Sequence, residues 1–319
     1  MRQDTNVSGL VTIDVEPDNV WANTHSFSFE NIRYLSAFHH LCQDYGVRPT
    51  YLVSWSVANN DECVGFLNVL LRQGNCEIGI HPHLWEIPPL IETEKTGIAW
   101  VGPHYATDVL EAKITSLVNL ITQKFGAPKS HRAGRWGIDS RQVAILAALG
   151  IRVDTSIIPG VNWSSTGVLD HTHAPLAPYY MDNTDIFKYG ASSLLQVPCT
   201  IKPSFCFYGL EKKWPISAVL KHIGLGYCWL RVSPFATETE MLNTCQWAIK
   251  RFTHLNLMSH SSEFMPAGSP YWKTEFDIVQ QFAKYRSLFA WWRSNGVVPK
   301  TLTEFEANYQ SRPAYNGQK

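Results

Sequence analysis

The sequence has no excess of charge of either sign. Its 319 residues contain 27 Lys and Arg against 27 Asp and Glu, and the isoelectric point is near 7.2. A surface that binds nucleic acid normally carries a basic excess, because it must neutralise phosphates. We therefore predict no nucleic-acid partner. Only 17% of the residues are charged and 45% are hydrophobic, which excludes a disordered chain and allows a sizeable core.

Long hydrophobic runs are also missing. No apolar stretch approaches the roughly 20 residues that a membrane-spanning helix requires, and the first apolar run, residues 10–15, is too short for a secretory signal. The seven cysteines are odd in number and scattered, without Cys-x-x-Cys spacing, which argues against a disulfide framework or a structural zinc site. These features predict a cytoplasmic protein with reduced thiols and no transmembrane segment.

Apolar β-rich runs alternate with amphipathic helical runs along the whole chain. The predicted strands are residues 9–15, 49–54, 76–81, 130–133, 151–154, 193–197, 228–232 and 256–259. The predicted helices are residues 30–45, 62–72, 108–125, 140–149, 238–252 and 275–294. Strands separated by helices form βαβ units with a mainly parallel sheet, and their number favours an α/β barrel over an open sheet.

We predict one domain over residues 1–319, since the chain shows no linker and no repeat. The segment at about 160–190 has no periodicity and is expected to be a loop added to the barrel, as a lid or substrate wall. The chain after residue 294 is polar, and we expect a frayed end, with a polar C-terminal tail from about residue 309. Capping-box spacing marks helix starts at Thr237 with Glu240 and at Thr301 with Glu304.

Acids and histidines follow two of the predicted strands. The first strand ends in Asp14-Val15-Glu16, and the third runs into His81-Pro82-His83. Residues two apart in an extended segment project to the same side, and ligands bind at the carboxyl ends of parallel strands. Asp14, Glu16, His81 and His83 therefore form a candidate divalent-metal site. The alternative is that the acids cap a helix or lie in a loop and the histidines are ordinary core or surface residues.

Three further predicted strands end in side chains that could take part in binding or catalysis. The fourth strand ends in Arg132-Ala133-Gly134-Arg135, and arginine beside a glycine turn can clamp a carboxylate. Asp154 ends the fifth strand. The last strand ends in His260, a candidate acid or base near neutral pH, although a core-facing histidine is an equal alternative.

This order of residues resembles the polysaccharide deacetylase family with the NodB homology domain (carbohydrate esterase family 4), over residues 9–262. The segments that carry the resemblance are residues 12–16, residues 77–83, Arg132 in its Arg-Ala-Gly-Arg turn, Asp154, and residues 257–260. Within this family, the sequence of these segments is most similar to the divergent WbmS-like or WalW-like branch found among O-antigen gene products. In two places the sequence departs from the family pattern: Val15 stands where a second acid is usual, and Trp85 stands where the second histidine is usual.

The resemblance implies a distorted (β/α)7–8 barrel of the NodB type that hydrolyses an N-acyl group, acetyl or formyl, on an amino sugar or glycan precursor. The implied cofactor is a divalent metal, with Zn²⁺ as the expected ion, held by His81, His83 and Glu16, with Asp14 or Asp18 as alternative acids. In the implied mechanism Asp14 is the general base.

The remaining roles follow from the same resemblance. Arg132 keeps the base ionised and oriented, His260 protonates the leaving amine, and Asp154 orients His260 or raises its pKa. Trp85, Trp136 and Arg135 are candidates for binding the sugar, and Trp163 could join them, although core packing is an equal interpretation for the tryptophans. The substrate would be a nucleotide-linked or lipid-linked sugar of surface-polysaccharide (O-antigen) biosynthesis. Nothing in the sequence indicates an oligomeric state.

Two other functions stay open at this point. The altered first and second motifs are compatible with a catalytically inactive carbohydrate-binding or regulatory protein on the same fold. A metal-dependent amidohydrolase that acts on a non-sugar amide would share the site and differ only in the pocket.

Overall fold

The computed structural model describes residues 7–18, 20, 27–92, 101–203 and 228–310. Within these ranges the helices are α1 (Asn31–Asp44), α2 (Trp55–Ala58), α3 (Asp61–Arg72), α4 (Thr107–Phe125), α5 (Ser140–Ala148), α6 (Glu238–Ala248), α7 (Glu275–Ser294) and α8 (Leu302–Gln310). The strands are β1 (Ser8–Val15), β2 (Thr50–Val53), β3 (Glu77–Ile80), β4 (Ser130–His131), β5 (Val153–Asp154), β6 (Tyr179–Tyr180), β7 (Leu195–Gln196), β8 (Ile201–Lys202), β9 (Cys228–Trp229), β10 (His254–His260) and β11 (Val298–Pro299).

Nine of these strands form one sheet in the order β10-β1-β2-β3-β4-β5-β7-β6, with β11 paired to the start of β1. Each pairing is parallel except that of β6 with β7. Strands β8 and β9 form a separate antiparallel pair. Strands β1 to β5 are neighbours both in sequence and in the sheet, and helices connect most of them. This is the winding of a parallel α/β barrel.

Hydrogen bonds just after β7 bring the two sides of the sheet together. The Thr200 backbone N–H donates to the carbonyl oxygen of Asn256 in β10 at 3.1 Å, and Asn256 Nδ2 donates to the Val197 carbonyl oxygen at 3.1 Å. Strand β10 is parallel to β1 along its whole length. The sheet therefore curves into a distorted (β/α) barrel, and the predicted fold class is confirmed.

Strand β1 is buried at all eight positions, because the barrel interior covers one face and helices cover the other. On the helical side, the Phe38 ring of α1 stacks on Phe264 with ring centres 4.3 Å apart and meets Tyr285 of α7 edge-on at 5.1 Å. These contacts fix β1 and the end of β10 against the outer layer. The carboxyl ends of both strands thereby have defined positions.

All six predicted helices are present, although α6 ends at Ala248, four residues before its predicted end. Both predicted capping boxes are confirmed. The Glu240 N–H donates to Thr237 Oγ1 at 3.2 Å, and the Thr237 N–H donates to Glu240 Oε2 at 2.8 Å. Thr301 and Glu304 make the same reciprocal bonds at 2.9 and 3.3 Å.

The expectation of a frayed end after residue 294 is wrong for residues 295–310. Strand β11 pairs with Ser8 and Gly9, and α8 buries Leu302 and Phe305 in a cluster with Leu10. These two side chains lie three apart on one helix face, so a short apolar stripe anchors a segment that is polar overall. Residues 311–319 of the predicted tail lie outside the described residues.

The region predicted as a loop, 160–190, contains a 3-10 turn at Ser164–Thr166 and strand β6. The strand predicted at 228–232 is the short β9, which pairs with β8 instead of joining the main sheet. The cysteines of the described ranges are free thiols, and most of them are buried. No helix in those ranges is both long enough and apolar enough to cross a membrane.

Candidate active site

The carboxyl ends of β1, β3, β4 and β10 lie at one edge of the sheet. In the sheet register Asp14 of β1 is the partner of His260 of β10. Strand β3, one strand beyond β2, ends immediately before His81, and the adjacent β4 ends immediately before Arg132. The topology therefore gathers the side chains that the sequence places at these four strand ends.

Glu16, His81 and His83 form a compact group of metal-ligand atoms. The Nε2 atom of His83 lies 3.2 Å from Glu16 Oε2 and 3.0 Å from His81 Nε2, and His81 Nε2 lies 3.6 Å from the same carboxylate oxygen. All three side chains are buried. Within the described ranges, this is the one group of three or more His, Cys, Asp or Glu side chains whose ligand atoms converge in this way.

The chemistry of this group fits a divalent cation. The Nδ1–H of His81 donates to the Arg132 carbonyl oxygen at 2.9 Å, which leaves the Nε2 lone pair directed at Glu16. Two imidazole nitrogens that face each other at 3.0 Å need a proton or a cation to relieve the repulsion of their lone pairs. Two imidazoles and one carboxylate are the protein ligands of open zinc sites, in which a further position is left for water.

The segment that carries Glu16 is held to the end of β10. The Glu16 N–H donates to Ser261 Oγ at 3.2 Å, and Asn31 Nδ2 donates to the Glu16 carbonyl oxygen at 2.7 Å. Asp18, the other acid considered as a ligand, instead accepts hydrogen bonds from the Ser28 hydroxyl and from the Glu30 N–H. Of these two acids, Glu16 is therefore the one that faces the histidines.

Asp14 forms a buried ion pair with Arg132. Arg132 Nη1 donates to Asp14 Oδ1 at 2.7 Å, and its Nε donates to the Thr155 carbonyl oxygen at 3.1 Å. The second carboxylate oxygen, Asp14 Oδ2, lies 3.9 Å from His81 Nε2 and 3.8 Å from His260 Nε2. One oxygen is thus fixed by the guanidinium, and the other faces the histidines.

Opposite charges decide the protonation of these buried groups. Burial raises the pKa of Asp14, but Arg132 and the neighbouring histidines lower it by more, so the net shift is downward. The histidines likewise outweigh burial and hold the pKa of Glu16 far below its usual range. For His81, burial lowers the pKa, and the carboxylates of Asp14 and Glu16 raise it above the ordinary value. Both acids are therefore ionised at neutral pH.

His260 is held by a buried carboxylate and a buried arginine. Its Nδ1–H donates to Glu263 Oε1 at 2.7 Å, so that Nε2 is the nitrogen directed at Asp14. The Arg231 guanidinium donates to the same Glu263 oxygen. Burial raises the pKa of Glu263, but Arg231 and His260 lower it to below its ordinary value. Glu263 is therefore a carboxylate that fixes the orientation of the His260 ring.

Neither Glu263 nor Arg231 was predicted from the sequence. The signal for Glu263 was present, because the strand that ends in His260 continues Ser-Ser-Glu and places a carboxylate three residues later. That spacing forms a capping box on the 3-10 turn Ser261–Phe264, and the box brings Glu263 back to the histidine ring.

Asp154 does not take the role predicted for it. Its Oδ1 accepts hydrogen bonds from His131 Nδ1 and from Ser156 Oγ, both at 2.6 Å, so the prediction that Asp154 orients His260 is wrong. His131 and Asp154 are register partners in β4 and β5. Partners of this kind face the same side of a sheet, and the next residue, Arg132, faces the opposite side.

The predicted sugar-binding residues border the metal-ligand group. The Trp85 ring stacks on His83 with ring centres 4.5 Å apart and planes 17° apart, and Arg135 Cζ lies 5.7 Å from the Trp85 ring centre. On the other side, Arg132 Cζ lies 5.2 Å from the Trp136 ring centre. Trp85 and Trp136 are half-buried, and Arg135 is exposed.

Trp136 also belongs to a group of three tryptophans. Its ring meets Trp229 edge-on at 5.8 Å, and both pack, together with Trp163, on a buried apolar cluster. That cluster consists of Ile158, Cys199, Ile201 and Met258. The contacts of Trp163 are therefore those of packing.

Comparison with known proteins supports the fold. No protein-family model and no curated protein matches the sequence. By structure, the chain is similar to a protein from Mycobacterium smegmatis described as a polysaccharide deacetylase, with a TM-score of 0.54 and 12% identity over 100% of this chain and 98% of the other.

Two further structures are similar over 98% of this chain. A protein from Parabacteroides distasonis described as a glycoside hydrolase or deacetylase gives a TM-score of 0.62 at 11% identity, with 74% of its chain covered. A GH57 branching enzyme from Thermococcus kodakaraensis gives 0.53 at 11% identity, with 72% covered. Likenesses at such low identity show the fold alone, which is the distorted barrel of the polysaccharide deacetylase type.

Proposed function

We propose that this protein is a metal-dependent hydrolase that removes an N-acyl group, acetyl or formyl, from an amino sugar or a glycan precursor. The observation that carries the proposal is the convergence of Glu16, His81 and His83 beside the Asp14–Arg132 pair and His260. A ligand group, a base and an acid are the parts that hydrolysis of an amide requires. The fold supports the proposal, since structurally similar proteins are described as deacetylases.

Glu16, His81 and His83 would hold the ion. We propose Zn²⁺, because two imidazoles and one carboxylate suit that metal. When bound, the ion would supply a Lewis acid for the amide oxygen and would lower the pKa of a water ligand from 15.7 to about 7.

Asp14 is proposed as the base that accepts the proton of the attacking water. Arg132 fixes its Oδ1 at 2.7 Å and leaves Oδ2 facing the histidines. The downward pKa shift keeps the carboxylate ionised at neutral pH, as a base must be. Because Arg132 is itself fully buried and bonded to Thr155, the pair is oriented before the substrate binds.

His260 is proposed as the acid that protonates the leaving nitrogen. Its Nε2 lies 3.8 Å from Asp14 Oδ2, so acid and base are adjacent. Glu263 accepts a hydrogen bond from Nδ1–H at 2.7 Å, which fixes the ring so that Nε2 is directed at Asp14. General acid catalysis of this kind typically contributes about 10²–10⁴-fold to the rate.

The half-buried Trp85 and Trp136 rings are proposed as the apolar surfaces on which the sugar lies. We propose as substrate a nucleotide-linked or lipid-linked amino sugar of surface-polysaccharide (O-antigen) biosynthesis, processed in the cytoplasm. The resemblance of residues 77–83 and of the Arg132–Arg135 turn to the O-antigen-associated branch supports this choice.

Metal content and acyl release test the proposal together. We expect the purified protein to bind stoichiometric Zn²⁺ by inductively coupled plasma mass spectrometry and to release acetate or formate from N-acylated amino sugars. A His81→Ala/His83→Ala variant should lose most of its metal content and most of its acyl release, because two of the three proposed ligands are removed. The matched control is His40→Ala/His173→Ala, which removes two exposed histidines and should change neither metal content nor acyl release.

Full metal content and full activity in the His81→Ala/His83→Ala variant would overturn the proposal. A folded wild-type protein that binds glycans but neither holds metal nor releases acid would favour a carbohydrate-binding protein on this fold. Release of acid from simple amides, with no activity on any sugar, would favour an amidohydrolase.

A further inference from the structure

Among the described residues, Arg135 differs from Arg132 and Arg231, the other two arginines at the site, in having no carboxylate partner. Arg132 is paired with Asp14 and Arg231 with Glu263, so the positive charge of each is compensated within the protein. In the part of the chain that the structure describes, the guanidinium of Arg135 instead lies over the ring of a tryptophan. Its side chain is exposed to solvent.

The turn that carries Arg135 is fixed against a proposed metal ligand. The Gly134 N–H donates to the Pro82 carbonyl oxygen at 3.1 Å. A Cβ at Gly134 would lie 2.7 Å from His83 Cδ2, so the backbone approaches that ring as closely as a glycine allows. Arg135 therefore has a defined position relative to His83.

The backbone of the turn is strained at Arg135. Both Arg135 and Trp136 have left-handed conformations, with φ of 52° and 63°. Each such residue other than glycine costs on the order of 1 kcal/mol, and strain of this kind concentrates at ligand-binding sites. The Arg135 side chain is exposed, so burial of that side chain does not account for its conformation.

Stacking leaves the donors of Arg135 available. A guanidinium that lies over an aromatic ring keeps its N–H groups for bonds in its own plane, where a phosphate or a carboxylate can accept two of them. Trp85 contacts both Arg135 and His83. An anion bound by Arg135 would thus lie close to the proposed metal ligands.

We propose that Arg135 binds an anionic group of the substrate, a phosphate or a carboxylate attached to the amino sugar or to its neighbour. This inference rests on the proposed function and narrows it, because it selects acidic over neutral sugars. Arg135 would act as a specificity residue that lowers KM for acidic substrates and takes no part in the proton transfers.

Binding to metal-free protein tests this role without turnover. The probes are UDP-N-acetylglucosamine, a disaccharide of N-acetylglucosamine and glucuronate, and the neutral di-N-acetylchitobiose, titrated by calorimetry. We expect the wild-type protein to bind at least one acidic probe more tightly than the neutral one. Arg135→Gln should weaken that binding by about 10- to 100-fold, the usual range for hydrogen bonds to a charged group, and should leave the neutral probe within about 2-fold.

Two further variants complete the design. Arg135→Lys keeps the charge without the planar fork and should retain part of the preference. Arg251→Gln is the matched control, because Arg251 is another exposed arginine over a tryptophan, Trp247, and should change no probe. The probe that loses affinity in Arg135→Gln identifies the anion as phosphate or carboxylate.

Equal binding of acidic and neutral probes by the wild-type protein would overturn the inference, and so would an equal loss of all probes in Arg135→Gln. These results do not depend on turnover. A wild-type protein that shows the preference but releases no acyl group from any substrate would support the anion site and contradict the proposed hydrolase.

Discussion

Each buried charge of the site lies against a partner of opposite sign. The contacts pair Asp14 with Arg132, Glu263 with Arg231, and Glu16 with His81 and His83. A buried charge without a partner is strongly disfavoured, whereas a well-bonded pair offsets most of its desolvation. Arg135 is exposed at the rim and pairs with no acid among the described residues, which is one reason why a ligand is inferred there.

Glu263 offers a test of how His260 is positioned. Glu263→Gln keeps the shape of the side chain but removes the negative charge from the Nδ1–H of His260. We expect kcat to fall by about 10- to 100-fold, a part of what a general acid contributes. The loss should appear in kcat with little change in KM, because Glu263 contacts His260 and Arg231 and not the metal-ligand group.

Circular dichroism separates positioning from folding, because a variant that is merely destabilised would lose structure together with activity. Glu263→Asp, which restores the charge on a shorter side chain, should recover part of kcat. An unchanged kcat in Glu263→Gln would show that Glu263 does not influence His260.

The strand pattern alone does not identify the acid that contacts His260, because Asp154 and Glu263 both lie near a strand end. Asp154 ends a strand and so satisfies the pattern, but its register places it beside His131. Glu263 lies beyond a strand end, on a 3-10 turn whose path the strand pattern does not specify. The end of a predicted strand thus indicates where a residue lies along the sheet. The face of the sheet to which its side chain points depends on the register of that strand with its neighbours.

At the scale of elements, the strands that carry the site were predictable because each is a short apolar run that ends in polar residues. The predicted β1 begins one residue later than the strand in the structure. The prediction correctly places Asp14 at the end of the strand and Glu16 just beyond it. For helix α8 only the start was predicted, from the Thr301–Glu304 capping box, since its apolar stripe is only Leu302 and Phe305 within a polar segment. Burial of that stripe depends on a tertiary contact with β1.

The turn Gly134–Trp136 can be tested as a unit. In Gly134→Ala the new Cβ would lie 2.7 Å from His83 Cδ2 and from the Pro82 carbonyl oxygen, and the backbone oxygen cannot yield as a flexible side chain could. We expect a destabilisation of about 1–3 kcal/mol and a loss of metal affinity of about 10- to 100-fold, because His83 must move. Urea unfolding and competition with a chelator measure the two effects.

Gly65→Ala is the matched control for this substitution. Gly65 lies in α3, and a Cβ there meets no atom within 4 Å. Alanine at this position should stabilise the helix by up to about 1 kcal/mol and should leave metal affinity unchanged. If Gly134→Ala binds metal as tightly as Gly65→Ala does, the turn does not hold His83 in place.

At the scale of the whole molecule, the site exists because the sheet curves. Its residues are drawn from Asp14 near one end of the sequence and from Glu263 some 250 positions later, and β10 places them side by side by pairing with β1. Alternation of strands and helices predicts a barrel-like α/β fold. It does not specify how the segment after β7 returns to β10, since that junction is made by side-chain hydrogen bonds.

Asn256 is the side chain that makes this junction, and its removal tests the closure. Its Nδ2 donates to Thr155 Oγ1 at 2.8 Å, to the Val197 carbonyl oxygen at 3.1 Å and to the Pro198 carbonyl oxygen at 3.3 Å. The side chain is fully buried, so Asn256→Ala removes three hydrogen bonds at a position that solvent does not reach. We expect the free energy of unfolding to fall by about 2–4 kcal/mol.

Asn308→Ala is the comparison, because Asn308 also donates to a backbone carbonyl but is exposed on α8. Solvent can replace its hydrogen bond, so we expect a change within about 0.5 kcal/mol in the same urea titration. Metal affinity adds a second measurement. Closure at Asn256 positions β10 and through it the ends of β1, so Asn256→Ala should also weaken metal binding by Glu16, whereas Asn308→Ala should not. Similar free energies of unfolding for the two variants would show that the barrel does not depend on this junction.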